Sequence, residues 1–174
     1  MPIKAIIFDW GDTLMRDYPG EPGPMATWPR VEAVPGAGEA LTALAAAGLQ
    51  LAVASNAGAS DAELMGQALA RVGLRRFFAH LWTSKELGAS KPAPEFFCEA
   101  ARRAGVEPHE CVMVGNDYGR DIVGAKAVGM HTVWLATGTD GEAVAAPAAD
   151  VVIADLERLP VALDVIRRAC EQTK

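Results

Sequence analysis

The chain has 174 residues, is 51% hydrophobic and carries a formal net charge of −6, which suits one folded domain rather than a disordered segment. Its Lys and Arg residues do not cluster, and this argues against a nucleic-acid partner, whose phosphates are bound by grouped cations. The longest apolar run is well short of the roughly 20 residues of a bilayer span, and the amino terminus lacks a basic-then-apolar leader, so the expectation is a soluble cytoplasmic protein with no membrane contact.

Cys98, Cys111 and Cys170 are odd in number and far apart, and His80, His109 and His131 are scattered. Neither a disulfide framework nor a zinc site is suggested.

The first strand is expected at residues 3–8, IKAIIF, and it ends in Asp9 and Asp12 within the stretch IIFDWGDTL. Residues 15–36, MRDYPGEPGPMATWPRVEAVPG, follow at once, crowded with Pro and Gly and without a sustained period. A connection this long inside a domain is usually functional, so it is expected to fold over whatever Asp9 does. Trp28 is its candidate substrate contact, with loop anchoring as the plainer role.

A first helix carries Leu41, Leu44, Ala45 and Gly48 at helical spacing, and a second strand at 49–54 delivers Ser55 and Asn56. Ser60 with Glu63 has the form of a capping box that opens a second helix bearing Leu64, Ala68, Leu69 and Val72. After a strand at 80–83 comes Lys91, just ahead of a third helix with Pro92 or Pro94 in its first turn and Phe96, Phe97, Ala100, Ala101 and Ala104 on one face. A strand at 111–114 leads to Asn116, Asp117 and Asp121, and then to a fourth helix with Ile122, Ala125, Lys126 and Gly129. Strands at 131–135 and 150–153 and a terminal helix striped by Leu159, Leu163, Ile166 and Cys170 complete the chain.

This alternation predicts a three-layer, Rossmann-like parallel sheet with helices on both faces, built as a single domain over 1–174. In such folds ligands bind at the carboxyl ends of the strands. Those ends carry a nucleophilic carboxylate, hydroxyl and amide donors, a cation, and acidic groups suited to magnesium, which are the parts of a phosphoryl-transfer site. Each part alone has a plainer reading as a cap, a turn or a surface charge. Four successive units placing such residues at one sheet edge is hard to explain by capping alone.

Taken in order, IIFDWGDTL, LAVASNA, ELGASKPAPEFF and VMVGNDYGRDIVGAKAVGM resemble the four motifs of the haloacid dehalogenase-like hydrolases. The resemblance implies a magnesium-dependent phosphoric monoester hydrolase working through an aspartyl-phosphate. Asp9 would be the nucleophile, Thr13 a loop support, Ser55 and Asn56 phosphate contacts, and Lys91 the catalytic cation. The metal would be held by Asp9, the Gly11 carbonyl and Asp117, whose four-residue spacing to Asp121 matches many members, with Asn116 as a second ligand and Asp121 in the same acidic group.

Two departures accompany the resemblance. Phosphatases of the family usually place an acid two positions after the nucleophile, where this chain has Gly11; the carboxylate stands at Asp12, either as a displaced proton shuttle or as a loop brace. The second is Asn116 in the usual Gly-Asp of the fourth motif. Absence of an acid at residue 11 keeps a phosphonatase-like hydrolase, or a weakly active phosphate-binding member, as alternatives. A phospho-accepting receiver domain is the rival of another class, disfavored because its acidic pair follows the first strand and its phosphoacceptor a later one.

The spacing of the motifs leaves no room for a cap domain. An uncapped site implies either a bulky phosphoester or closure by a second copy of the chain; a small-molecule substrate remains the alternative.

Overall fold

The computed structural model describes residues 2–137 and 145–172. Six parallel strands form one sheet in the order β3-β2-β1-β4-β5-β6. These are β1 (Ala5–Phe8), β2 (Gln50–Ser55), β3 (His80–Thr83), β4 (Cys111–Gly115), β5 (His131–Leu135) and β6 (Val151–Ile153). All six expected strands are present, with ends shifted by at most two residues, because each is a short apolar run bounded by polar or turn residues. The order reverses between β1 and β4, so the crevice of an open α/β sheet lies beyond these two strands.

Strand alternation separates two faces by size. Ile6, Phe8, Leu51, Val53, Val112 and Val114 point to one core. Ala5, Ile7, Ala52, Ala54, Cys111 and Met113 point to the other. The first core is covered by α1 (Ala37–Ala46), α2 (Ala62–Arg71) and a terminal helix at Leu159–Gln172. On the second face the alanines of β2 leave room for the rings of Phe96 and Phe97, which meet edge-on with centroids 5.3 Å apart. Those rings belong to a helix at Pro94–Ala104, which opens on Pro94 and exposes Glu99, Arg102 and Arg103 as ion pairs on its outer side.

Helix starts correct the sequence reading in two places. Asp61, not Ser60, caps α2: its Oδ1 accepts from the Leu64 N–H at 2.9 Å, while Ser60 is buried. The capping box lies instead at Thr83 and Glu86, opening α3 (Ser84–Leu87), a short helix that periodicity does not reveal. Glu86 also accepts from the Ala62 N–H at 3.2 Å and so ties the start of α3 to the start of α2. With α3 placed, the helix at Pro94–Ala104 is α4.

The segment after β4 begins as a π-helical turn, Tyr118–Val123, and continues as α5 (Gly124–Ala127); the terminal helix is then α6. The loop at 15–36 is packed rather than loose. Met15, Met25, Trp28 and Val34 are buried in it, and the Arg71 guanidinium of α2 donates to the Trp28 carbonyl at 2.7 Å. Among the described residues no separate cap domain is present, and no helix is long and apolar enough to cross a membrane.

α5 crosses α4 closely enough to demand glycine. A Cβ on Gly124 would lie 2.5 Å from Phe97 Cε2 and 2.9 Å from the Pro92 carbonyl oxygen. Gly124→Ala therefore forces a buried ring and a backbone segment apart, and overpacking of this kind costs about 1–3 kcal/mol. In thermal unfolding the variant should melt lower by about 2–4 °C per kcal/mol lost; an unchanged melting temperature would show that the contact yields freely.

Candidate active site

The carboxyl ends of β1, β2 and β4 converge on a cavity of about 350 Å³. Asp9 follows β1 directly and its N–H is held by the Val114 carbonyl at 2.9 Å, so the strand pairing itself fixes where the carboxylate stands. Its Oδ1 accepts from Ser55 Oγ at 2.9 Å and from Lys91 Nζ at 2.6 Å. Its Oδ2 faces Thr13 Oγ1 at 3.5 Å, and the same hydroxyl is 3.3 Å from Asn116 Oδ1. Asp9, Ser55, Lys91 and Asn116, singled out in the sequence from four separate segments, are thus brought together.

Lys91 is the center of the arrangement. Its side chain is 2% exposed, and its ammonium lies between Asp9 and Asp121, with the Asp121 Oδ1 at 2.7 Å. The Phe96 ring closes another side, its centroid 5.5 Å from Nζ. Burial alone would lower the lysine pKa, but the charges of Asp9 and Asp121 outweigh it and raise it. The ammonium stays protonated at neutral pH. Burial and the charge of Asp9 push Asp121 up to about 6, against the opposing pull of Lys91.

Asp121 reaches the lysine because of two local features. The π-helical turn carries its side chain back toward β4, and its Oδ2 accepts from the Asp117 N–H at 3.1 Å. Gly115 clears the way: a Cβ there would lie 2.3 Å from Asp121 Oδ2.

The neighboring polar side chains make contacts that residue spacing does not reveal. Asn56 uses both ends of its amide on the Lys91 backbone, accepting from the N–H at 2.9 Å and donating to the carbonyl at 3.0 Å. It clamps the lysine segment from the wall of the cavity. Asp117 caps the turn that follows, accepting from the Arg120 N–H at 2.8 Å and from its guanidinium at 2.6 Å. Burial works to raise its pKa, but these bonds hold it below the ordinary carboxylate value. Asn116, by contrast, turns its amide oxygen toward the Thr13 hydroxyl, while Trp134 Nε1 of β5 donates to its carbonyl at 2.9 Å.

Asp12 adopts a left-handed conformation, φ 55°, and its Oδ1 accepts from the Asp17 N–H at 3.0 Å. This is the bracing geometry. Trp28 is 7% exposed and donates to the Gly23 carbonyl at 3.1 Å, so it anchors the loop and presents an edge to the cavity wall. Asp17, Arg120 and Trp134 went unnoticed in the sequence. Arg120 lies within the fourth motif, but Asp17 sits in the Pro-rich loop where no spacing rule applies. Desolvation, with the charges of Asp12 and Asp9, raises the Asp17 pKa.

Comparison with known proteins agrees with this architecture. The curated relatives include the glyceraldehyde 3-phosphate phosphatase of Methanopyrus kandleri, 40% identical over 99 residues that span 57% of this chain and 42% of that protein. They also include haloacid dehalogenase-like hydrolase domain-containing protein 3 of Bos taurus, 41% identical over 111 residues, 64% of this chain and 41% of that protein. The chain thus spans about two fifths of the length of these relatives. An uncharacterized protein from Listeria monocytogenes serotype 4b superposes with a TM-score of 0.83 at 27% identity, over 95% of this chain and 99% of that one. A HAD phosphatase from Thermococcus onnurineus shares the fold, with a TM-score of 0.73 at 22% identity over 92% of this chain and 97% of that one. The family model for haloacid dehalogenase-like hydrolases matches residues 23–129, more than half of the sequence, and with the four motif segments gathered at one sheet edge the chain belongs to that family of hydrolases.

Proposed function

We propose that the protein hydrolyzes small phosphate monoesters through an aspartyl-phosphate formed on Asp9. The observation that carries this reading is the buried Lys91 ammonium shared by Asp9 and Asp121, with the Ser55 hydroxyl on the same Asp9 oxygen. A carboxylate, a cation and a hydroxyl converging on one point at the edge of a cavity suit attack on a phosphorus and neutralization of its oxygens. A cavity of about 350 Å³ lies at the small end of ligand sites, which favors a compact organic phosphate over a bulky one. Relatives named glyceraldehyde 3-phosphate phosphatase point the same way.

In this reaction Asp9 bonds to phosphorus opposite the ester oxygen, and water then releases phosphate from the acyl phosphate. Lys91 and Ser55 offset charge on the transferred group, Asn56 fixes Lys91 through its backbone, and Asp121 keeps the ammonium charged and oriented.

The donor set also suits magnesium, which takes hard oxygen ligands and retains water. Asp9 Oδ2 and Asn116 Oδ1 both lie within 3.5 Å of Thr13 Oγ1, so two oxygens face one corner. Asp9, the Gly11 carbonyl and Asn116 would hold the ion. Asp117 and Asp121 are already committed to Arg120 and Lys91. When bound, the ion would neutralize phosphate oxygens and orient the ester toward Asp9.

Asp9→Asn should reduce phosphomonoesterase activity to background while leaving the melting temperature near that of the parent, because Lys91 keeps Asp121 as its partner. Turnover that survives in the folded variant would remove Asp9 as the nucleophile. Titrating magnesium against activity should show a larger rise in the required concentration for Asn116→Ala than for Asp117→Ala. The reverse order would return the metal to Asp117, as the motif spacing alone suggests.

A further inference from the structure

The proposed reaction, on which this inference rests, leaves one proton without a source. An alkyl ester oxygen departs poorly as an alkoxide and needs a proton as its bond to phosphorus breaks. Most proton carriers that line the cavity are committed elsewhere. Lys91 Nζ sits between Asp9 and Asp121. Arg120 is bound to Asp117, and a guanidinium does not give up its proton. Asp12 spends an oxygen on the Asp17 N–H.

Asp17 is different. Its carboxyl lines the same cavity as Asp9, and among the described residues no cation pairs with it and no other side chain is hydrogen-bonded to it. Its placement relative to Gly11 is the informative measurement. Gly11 is also on the cavity wall, and a Cβ added there would lie 3.5 Å from Asp17 Oδ2, 3.6 Å from its Cβ and 3.8 Å from its Cγ. The Asp17 side chain therefore flanks the space that a side chain on residue 11 would fill. It arrives from six residues further along the loop.

Two features hold it there. Asp12 turns left-handed, with φ 55°, and its carboxylate receives the Asp17 N–H, which fixes the backbone that carries the acid. The isolated bridges of Met15 to Gly11 and to Ala33 tie the intervening chain to the same turn.

We propose that Asp17 is the proton donor to the leaving oxygen and that Asp12 is its positioning residue. As an Asp9 oxygen bonds to phosphorus, the ester P–O bond breaks and its electron pair stays on the ester oxygen. That oxygen takes the Asp17 proton and departs as the alcohol. The Asp17 carboxylate then accepts a proton from the water that attacks the acyl phosphate, and inorganic phosphate and both free carboxyl groups are regenerated.

The test measures kcat of the parent, Asp17→Asn and Asp12→Asn on an alkyl ester, glycerol 1-phosphate, and an aryl ester, p-nitrophenyl phosphate. Asp17 is on an exposed stretch of the loop, so its amide variant should melt with the parent. Asp17→Asn should lose about 100- to 10,000-fold on the alkyl ester, the usual worth of a general acid, and far less on the aryl ester, whose leaving group departs without a proton. Asp12→Asn should show the same alkyl-selective pattern to a smaller degree. Adding Gly11→Asp to the Asp17→Asn protein should restore alkyl turnover, because the new carboxyl grows into the flanked space. Equal losses on both esters, or no loss, would overturn the assignment of Asp17 while leaving the phosphatase reading intact. A parent protein that hydrolyzes neither ester would overturn both.

Discussion

A buried ammonium flanked by two carboxylates is the constraint on which this site depends. Lys91 has almost no exposed side-chain surface, and its buried charge is compensated by carboxylates on two sides, Asp9 and Asp121. A buried charge left with no partner at all typically costs about 3–5 kcal/mol, and here either carboxylate prevents that. The lysine therefore imposes geometry on everything near it. β1 must end one residue before Asp9, the fourth motif must make a π-helical turn so that Asp121 can fold back, and residue 115 must lack a Cβ. Asn56 adds a clamp on the lysine backbone from the end of β2. The same contacts that offset the cost of burying Lys91 hold its charge at the wall of the cavity.

Around this fixed center the loop at 15–36 supplies another wall of the cavity. It is held by apolar burial of Met15, Met25, Trp28 and Val34 and by Arg71 from α2. Its first residues form a tight turn in which Asp12 gives up a regular backbone conformation, at a strain of order 1–3 kcal/mol for a residue of its type. The Asp17 amide contact is the local return for that strain. An anchored loop of this kind walls one side of the cavity without a cap domain among the described residues.

Much of this architecture was legible in the chain. Short β-branched and apolar runs alternate with helical ones, and a parallel sheet is the arrangement that buries both kinds. Polar residues that abruptly end apolar strands then have to lie along one edge of that sheet. For this reason Asp9 and Ser55 are legible as neighbors from the strand ends, while Lys91, beyond α3, is singled out by its resemblance to the third family motif. Residues next to one another in a turn were harder to separate. Asn116 and Asp117 carry similar groups, and the four-residue spacing to Asp121 favors Asp117 by resemblance to the family. In the fold Asp117 satisfies the free N–H of the following turn and pairs with Arg120 at the cavity wall, contacts that no residue spacing reveals.

The sequence by itself determined the fold and which polar residues follow its strands, because hydrophobic periodicity and strand ends are local properties that survive into the folded state. The tertiary structure decided which way each side chain points and what it is bound to. Asn56 became a backbone clamp, Asp12 a brace and Asp121 a partner of the lysine. Asp17 came beside the open flank of Gly11. These outcomes depend on φ and ψ within single turns and on contacts between segments distant in the chain. No residue spacing encodes them, since a rotation about one backbone bond redirects a carboxylate by several ångströms while leaving the sequence pattern unchanged.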